Sequence, residues 1–440
     1  MKKDKNVLIM GIVLCVIILA VLASFIFILR KENSTDIIET NTVEEPIIEN
    51  IIEKPDEEID DEKPEKLENK EFSTSFLRLE NNKKNMIYSP LSIKYALKML
   101  DEGAGGDTKK QIEDFIGNED LTKYKDIEKI LSLANAVYVR EEFSSQIKEN
   151  YINTLKEKYN AEVKYDSFAN AKNINAWIEE KTFEKIKDML ADEQVSNPDN
   201  RLILVNALAI DMKWKDEFER KNTYGEPFYK MDGSKIEATT MNMNSKSDNA
   251  SYYKDNDITV LAMDLEKYDD SEFEFIAIMP ESDLSNYVEE FTEDKLEKIT
   301  DNLTLASIPK KGVNISIPKF EFDYTLSLKN DLIDMGITDA FDSKEADFSN
   351  MANIEGYYVG DAIHKANIEF SEEGVKASAA TVIFMEMNAM LDMDTEKPID
   401  ITIDKPFLYV IRDKNTKEIW FLGTVYEPNL WEKDKADYSR

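Results

Sequence analysis

Residues 369–381 read E-F-S-E-E-G-V-K-A-S-A-A-T, a run with the alternation of a β-strand but no local partner. Two acids and a glycine lead into small residues, after which apolar side chains fall on every second position. Val375, Ala377, Ala379, Thr381, Ile383 and Met385 share one face. Lys376, Ser378, Ala380 and Glu386 share the other with Val382 and Phe384. One buried face is therefore expected. No turn or hairpin signal joins the run to a neighbour, and the chain continues through Asn388 into an acidic, Met-rich stretch before the next apolar run at Lys405. Such a strand must enter a sheet elsewhere in the chain or remain a loop.

The flanking sequence supplies the context. Asp361 to Phe370 reads D-A-I-H-K-A-N-I-E-F, and Lys405 to Asn429 reads K-P-F-L-Y-V-I-R-D-K-N-T-K-E-I-W-F-L-G-T-V-Y-E-P-N. Earlier come Y-S-P-L-S-I from Tyr88, G-A-G-G-D-T-K-K-Q-I ending at Ile112, and L-A-N-A-V-Y-V over Leu133 to Val139. N-A-W-I-E-E-K-T from Asn175, R-L-I-L-V-N-A from Arg201 and the pair Lys213–Trp214 lie between. In order and spacing, from about residue 72 to 429, these motifs resemble the serpins, and the chain looks like a membrane-anchored member of prokaryotic type. The resemblance implies an α+β fold of three β-sheets and about nine α-helices in one domain, with an exposed reactive-centre loop.

A chain of 440 residues is long enough for two or three domains; the resemblance assigns residues 72–429 to one, leaving 430–440 as a tail. The single Cys15 excludes an internal disulfide framework, so stability must come from packing. From Val7 to Leu29 no residue is charged, enough to span a hydrocarbon core as a helix, with Lys2, Lys3 and Lys5 before it and Arg30 and Lys31 after. The run is longer than a secretory signal core and no small-residue cleavage site closes it. It reads as a signal anchor over residues 7–29, with 1–6 in the cytoplasm, a single-pass location in the cell membrane and the large domain outside. Residues 31–72 carry 16 acids and 5 bases, with Pro46, Pro55 and Pro64 at regular intervals. That composition buries too little to offset chain entropy, so residues 30–71 read as a disordered acidic tether. The net charge of −34 argues against a nucleic-acid partner.

Conventional catalysis finds no foothold. G-x-S-x-G, H-E-x-x-H, a P-loop and G-x-G-x-x-G are absent, and one histidine, His364, must serve any triad or zinc site. No cofactor, no metal and no enzymatic activity are expected. His364 sits in an apolar, strand-like run and reads as a core histidine. The resemblance implies that it hydrogen-bonds Asn206 beneath the central sheet, beside Ser89 and Ser92, where the sheet parts to admit the loop near Trp214.

The resemblance further implies suicide inhibition of a target serine or cysteine protease by a monomer: the loop is cut, inserts as a strand and traps the acyl-enzyme. Its hinge is Glu372, Glu373, Gly374, Val375, Lys376, Ala377, Ser378, Ala379, Ala380 and Thr381. Small or β-branched residues at Val375, Ala377, Ala379 and Thr381 can enter a core without burying a charge. Counting as the family is counted places the reactive bond at Asn388–Ala389, with Met387, Met385 and Met390 as alternatives. From Val375 to Asn388 is 14 residues, roughly 45 Å as a strand at about 3.3 Å each. A non-inhibitory serpin acting as a surface-tethered binding or scaffold protein is the alternative. Three positions depart from the family pattern: Asp211 and Met212 before Lys213–Trp214, and Glu184 where glycine is common. Sequons begin at Asn33, Asn249, Asn302 and Asn314.

Overall fold

Every residue from Leu131 to Arg140 is buried, as a strand must be when both faces of its sheet are covered. The computed structural model describes residues 71–353, 356–376 and 397–432, all inside the compact unit Lys63–Arg440. This strand, β1 (Leu131–Arg140), pairs in parallel with β2 (Glu162–Asp166) and antiparallel with β3 (Leu202–Ile210). Its alternation divides it between two cores. Leu131, Leu133, Val137 and Val139 enter the main core, whereas Ala134, Ala136 and Tyr138 pack outward with Val205 and Ala207 of β3. The outward set is covered by helix α1 (Lys172–Lys181), whose Ile174, Trp177 and Ile178 fall on one helical face.

The chain resumes extended structure past Ile210 as β4 (Met212–Lys213). Further on come β5 (Phe320–Ser327), β6 (Ile363–Ser371) and β7 (Gly374–Lys376). β5 and β6 are antiparallel, β6 and β7 form a hairpin, and β7 pairs with β4. The central sheet is thus two half-sheets, β2-β1-β3 and β5-β6-β7-β4, joined at one end where β3 runs on into β4.

Beneath it lies a seven-stranded antiparallel sheet whose middle strands, Phe407–Asp413, Phe273–Pro280 and Ile419–Val425, are buried throughout. A four-stranded sheet of Ile399–Thr402, Val313–Pro318, Lys235–Ser245 and Thr223–Tyr229 completes the β-structure. Nine α-helices occur among the described residues, so the α+β expectation stands. The expected three sheets become four hydrogen-bonded ones because the central sheet is split. Ordered pairing also runs past residue 429: Ala238 bridges Leu430, and Trp431 N–H donates to the Glu237 carbonyl at 2.9 Å. Residues 1–70, which hold the expected anchor and most of the tether, lie outside the described residues. No helix among the described residues is long and apolar enough to cross a membrane.

After α1, residues 182–196 form a strap over the outer face of the central sheet. Lys185 pairs with Glu369 at 3.6 Å, Lys365 Nζ donates to the Lys187 carbonyl at 2.8 Å, and Gln194 donates to Asp361 at 3.0 Å. Its backbone is left-handed at three non-glycine residues, Phe183 (φ 53°), Glu184 (φ 64°) and Asp188 (φ 45°). Glu184, one of the departures noted in the sequence, thus carries a Cβ where glycine would fit without penalty. Glu184→Gly is expected to stabilise the intact chain by about 0.5–1 kcal/mol, read as a higher urea midpoint; an unchanged or lower midpoint would contradict this account of the strap.

Candidate functional site

The first residues of the hinge, Gly374–Lys376, are already part of a sheet. Ser371 and Gly374 close a two-residue turn at Glu372 and Glu373, and Phe370 faces Val375 across the hairpin. This corrects the expectation that no hairpin joins the hinge to a neighbour. Neither central residue favours a tight turn, so the conformation is imposed from outside. Trp214 N–H donates to the Glu373 carbonyl at 3.1 Å, Phe218 N–H to the Glu372 carbonyl at 2.9 Å, and Trp214 Nε1–H to the Ser371 carbonyl at 2.9 Å. Lys319 Nζ meets Glu372 Oε2 at 2.6 Å and Arg220 Nη2 meets Glu373 Oε1 at 2.7 Å. Burial works to raise the Glu372 carboxyl, but the Lys319 ammonium outweighs it and holds the group below the usual carboxylate value. Lys319, Arg220 and Phe218 were not singled out from sequence; they lie far from the turn along the chain and carry no motif of their own.

Backbone approach explains Gly374. A Cβ there would stand 2.1 Å from the Met212 carbonyl oxygen and 2.7 Å from Lys213 Cα, so only glycine lets β7 seat against β4. Met212, the second departure, pairs with Val375 and is fully buried, its side chain in the main core beneath the hinge.

Below Val375 the two half-sheets face each other without pairing. Among the described residues, β3 pairs only with β1, and β6 below Glu369 pairs only with β5. The slot between them is narrow above and wide below. Next to Val375, Leu208, Ile210 and Ile368 border a cavity of about 30 Å³. Farther down, a cavity of about 450 Å³ is lined by Ser92, Leu97, Leu204, Asn206, Leu332 and His364, among others.

The four residues expected beneath the sheet do come together, in a different arrangement. Ser89 caps the helix Pro90–Asp101: its Oγ accepts from Ser92 N–H at 3.0 Å, with proline in the first turn. Ser89 N–H donates to His364 Nε2 at 3.0 Å, and the Ser92 hydroxyl donates to Asn206 Oδ1. Asn206 Nδ2 in turn donates to Asn135 Oδ1 at 2.7 Å. His364 and Asn206 therefore do not bond each other directly; the helix N-terminus stands between them and bridges the slot. Burial lowers the His364 pKa from 6.5 to about 4. The ring is neutral at pH 7, as an acceptor at Nε2 requires, which places its proton on Nδ1.

Asn388, Ala389, Met385, Met387 and Met390, together with Ala377 to Thr381 of the hinge, lie outside the described residues, as does the Lys376 side chain. No group of three or more His, Cys, Asp or Glu residues able to hold a metal occurs among the described residues.

The sequence model of the family described as serpin (serine protease inhibitor) matches residues 68–428. An uncharacterized serpin-like protein of Methanosarcina acetivorans is 30% identical over 369 residues, covering 79% of this chain and 83% of that one. Human serpin I2 is 28% identical over 373 residues, covering 80% and 88%. Among solved structures, the thermophilic serpin tengpin in its native state superposes with a TM-score of 0.67 at 24% identity, covering 82% of this chain and 93% of that one. Thyroxine-binding globulin in complex with thyroxine gives 0.68 at 25% identity, covering 82% and 98%.

A buried histidine with a depressed pKa binds its proton more readily in the unfolded chain. Stability attributable to His364 should therefore be complete above about pH 6.5 and decline as pH falls towards 4, by up to about 3 kcal/mol. His364→Gln, which retains an acceptor, should lose less stability than the parent between pH 7 and pH 4.5 in urea titrations. Equal losses in the two proteins would refute this assignment.

Proposed function

The chain belongs to the serpin family, and from that premise we propose that it is a suicide inhibitor of a serine or cysteine protease. The single observation that carries this reading is β7: a strand only three residues long, seated between β6 and β4 and aimed down a slot whose two edges are unpaired among the described residues. A protease nucleophile adds to a loop carbonyl and the new N-terminus leaves, so the N-terminal part of the loop stays esterified to the enzyme. Freed from its C-terminal attachment, that part extends β7 downward. The inserted strand supplies the missing pairs and draws the enzyme along. Deacylation depends on an oxyanion hole held in fixed geometry; traction on the nucleophile deforms it, and the ester persists.

We place the reactive bond at Asn388–Ala389, with Met385, Met387 and Met390 as the alternative acyl-side residues. Residues 7–29 are proposed as the membrane anchor, supported by 23 uncharged residues between basic flanks; release of the full chain from membranes by alkaline carbonate would exclude it. A binding role without inhibition is the second reading, favoured by the similarity to thyroxine-binding globulin, solved with thyroxine bound.

Incubating the full chain with a panel of serine and cysteine proteases, an asparagine-selective one included, is expected to give a band at the summed mass that survives denaturation, with a released fragment starting near Ala389. Cleavage by every protease without such a band would leave the binding reading. Ala377→Arg would force a cation into the narrow part of the slot, at a cost of several kcal/mol. Since about 1.4 kcal/mol is tenfold in rate, the covalent fraction should fall by more than about tenfold while loop cleavage continues. Undiminished trapping by this variant would rule out insertion.

A further inference from the structure

Five arginines fall among the described residues, and four of them are paired: Arg78 with Glu71, Arg140 with Glu142, Arg220 with Glu373, and Arg412 with Glu274 and Glu297. Arg201 is the exception. Its guanidinium stands 3.8 Å from the centroid of the Phe143 ring and donates to the Pro198 carbonyl, but meets no carboxylate among the described residues. In a chain with 89 acids and 55 bases, a cation without an acid is the less expected arrangement. The ring covers one face of the guanidinium and leaves the N–H groups at its rim free to donate. Such a fork takes a carboxylate in bidentate fashion.

Beside Arg201 lies the wide part of the slot. The residue precedes β3 at the end farthest from the hinge and borders the cavity of about 450 Å³, a volume within the range of small-molecule sites. From Asn206 to Arg201 the lining follows β3 for five residue steps, roughly 16 Å at about 3.3 Å each. The space is therefore long for its volume. Its walls are apolar: Leu97 of helix Pro90–Asp101, Leu204 of β3, Leu332 of helix Leu328–Asp334, and Phe341 and Met351. Leu204 is only half-buried although it packs toward the main core, so this wall is open to a further apolar group.

The polar groups of the lining are otherwise engaged. At the upper end the Ser92 hydroxyl donates to Asn206, and His364 Nε2 accepts from Ser89 N–H. At the lower end the Tyr357 hydroxyl donates to Gln146 Oε1 at 3.0 Å. Two acids border the cavity, Asp199 and Asp361; both are exposed, and Asp361 accepts from Gln194.

We propose that this cavity binds an aliphatic carboxylate, its chain laid along β3 between Leu97, Leu204 and Leu332 and its head group on Arg201. An unbranched chain suits a long apolar space, and the carboxylate supplies the counter-ion that Arg201 lacks among the described residues. Such binding requires no insertion of the loop and is compatible with either reading of function.

Equilibrium dialysis of the full chain against radiolabelled decanoate tests the site. One saturable molecule per chain is expected, above a non-saturable background from other apolar surface. Octanoate should bind about fifteenfold more weakly, since each buried methylene is a factor of about four. Arg201→Gln should weaken decanoate about tenfold and leave decanol unchanged, with Arg201→Lys falling between. Leu204→Trp, on the half-buried wall, should weaken decanoate and decanol together. Urea midpoints of the unliganded variants, expected close to that of the parent, report that the fold is retained. In the parent chain alone, the absence of a saturable site or equal binding of octanoate and decanoate would overturn the proposal. So would an equal loss of decanol and decanoate on Arg201→Gln, or no loss of either on Leu204→Trp. None of these results bears on protease trapping, so failure here leaves the inhibitory reading standing.

Discussion

Among the described residues the central sheet is split by an unpaired slot, and the rest of the architecture answers to it. Half of the backbone N–H and C=O groups of β3, and half of those of β6 below Glu369, point into the slot and find no backbone partner among the described residues. Backbone polar groups in an interior are obligatory hydrogen-bonding groups, and leaving them unpaired costs free energy. A fold can tolerate such edges only if the gap is held open by contacts stronger than the tendency of the edges to close. Both ends of the slot supply them.

At the upper end the aromatic rings do much of this. Phe370 stacks on Phe320 with centroids 4.7 Å apart and meets the edge of Trp214 at 5.3 Å, while Phe275 lies against both Phe370 and Trp214. Trp214 also holds two carbonyls of the hinge turn. This one residue, through its backbone N–H and its indole, thereby couples the core packing of β6 to the conformation of the hinge. Lower down, the N-terminus of helix Pro90–Asp101 performs the equivalent task with polar groups, Ser89 holding His364 on β6 and Ser92 holding Asn206 on β3. Because it touches both edges, it sets their separation.

What could be read in the sequence was whatever depends on neighbours along the chain. Alternation of Val375, Ala377, Ala379 and Thr381 marks a one-faced strand whether or not its partner is known, and Leu131 to Val139 shows the same period. The turn at Glu372 and Glu373 could not be read, because Lys319, Arg220, Trp214 and Phe218 hold it and the nearest of these pairs is 53 residues away. The His364–Asn206 relation was half legible: the residues meet, but that Ser89 and Ser92 intervene depends on where a helix cap lands in three dimensions.

On the proposed mechanism, the free energy that insertion would release accounts for how a strand could disable an enzyme. In that mechanism, extension of β7 from Ala377 to Met385 would place nine residues between two strands, each with one N–H to donate and one C=O to accept with. At about 1 kcal/mol net per hydrogen bond this amounts to roughly 10–20 kcal/mol, before any burial of Ile383 or Met385 is counted. Typical domains are stable by about 5–15 kcal/mol, so the pull transmitted through the proposed ester bond would be comparable to what holds the whole protease folded. Catalytic geometry within that protease fails long before global unfolding, since an oxyanion hole must be placed within fractions of an ångström. The sequence of events then matters as much as the total. In the proposed insertion Ala377 and Ala379 would pass first, through the narrow section, where methyl groups would meet little resistance. The larger side chains would follow only where the slot has widened, so the steepest steric demands would come after the strand is already zipped at its upper end.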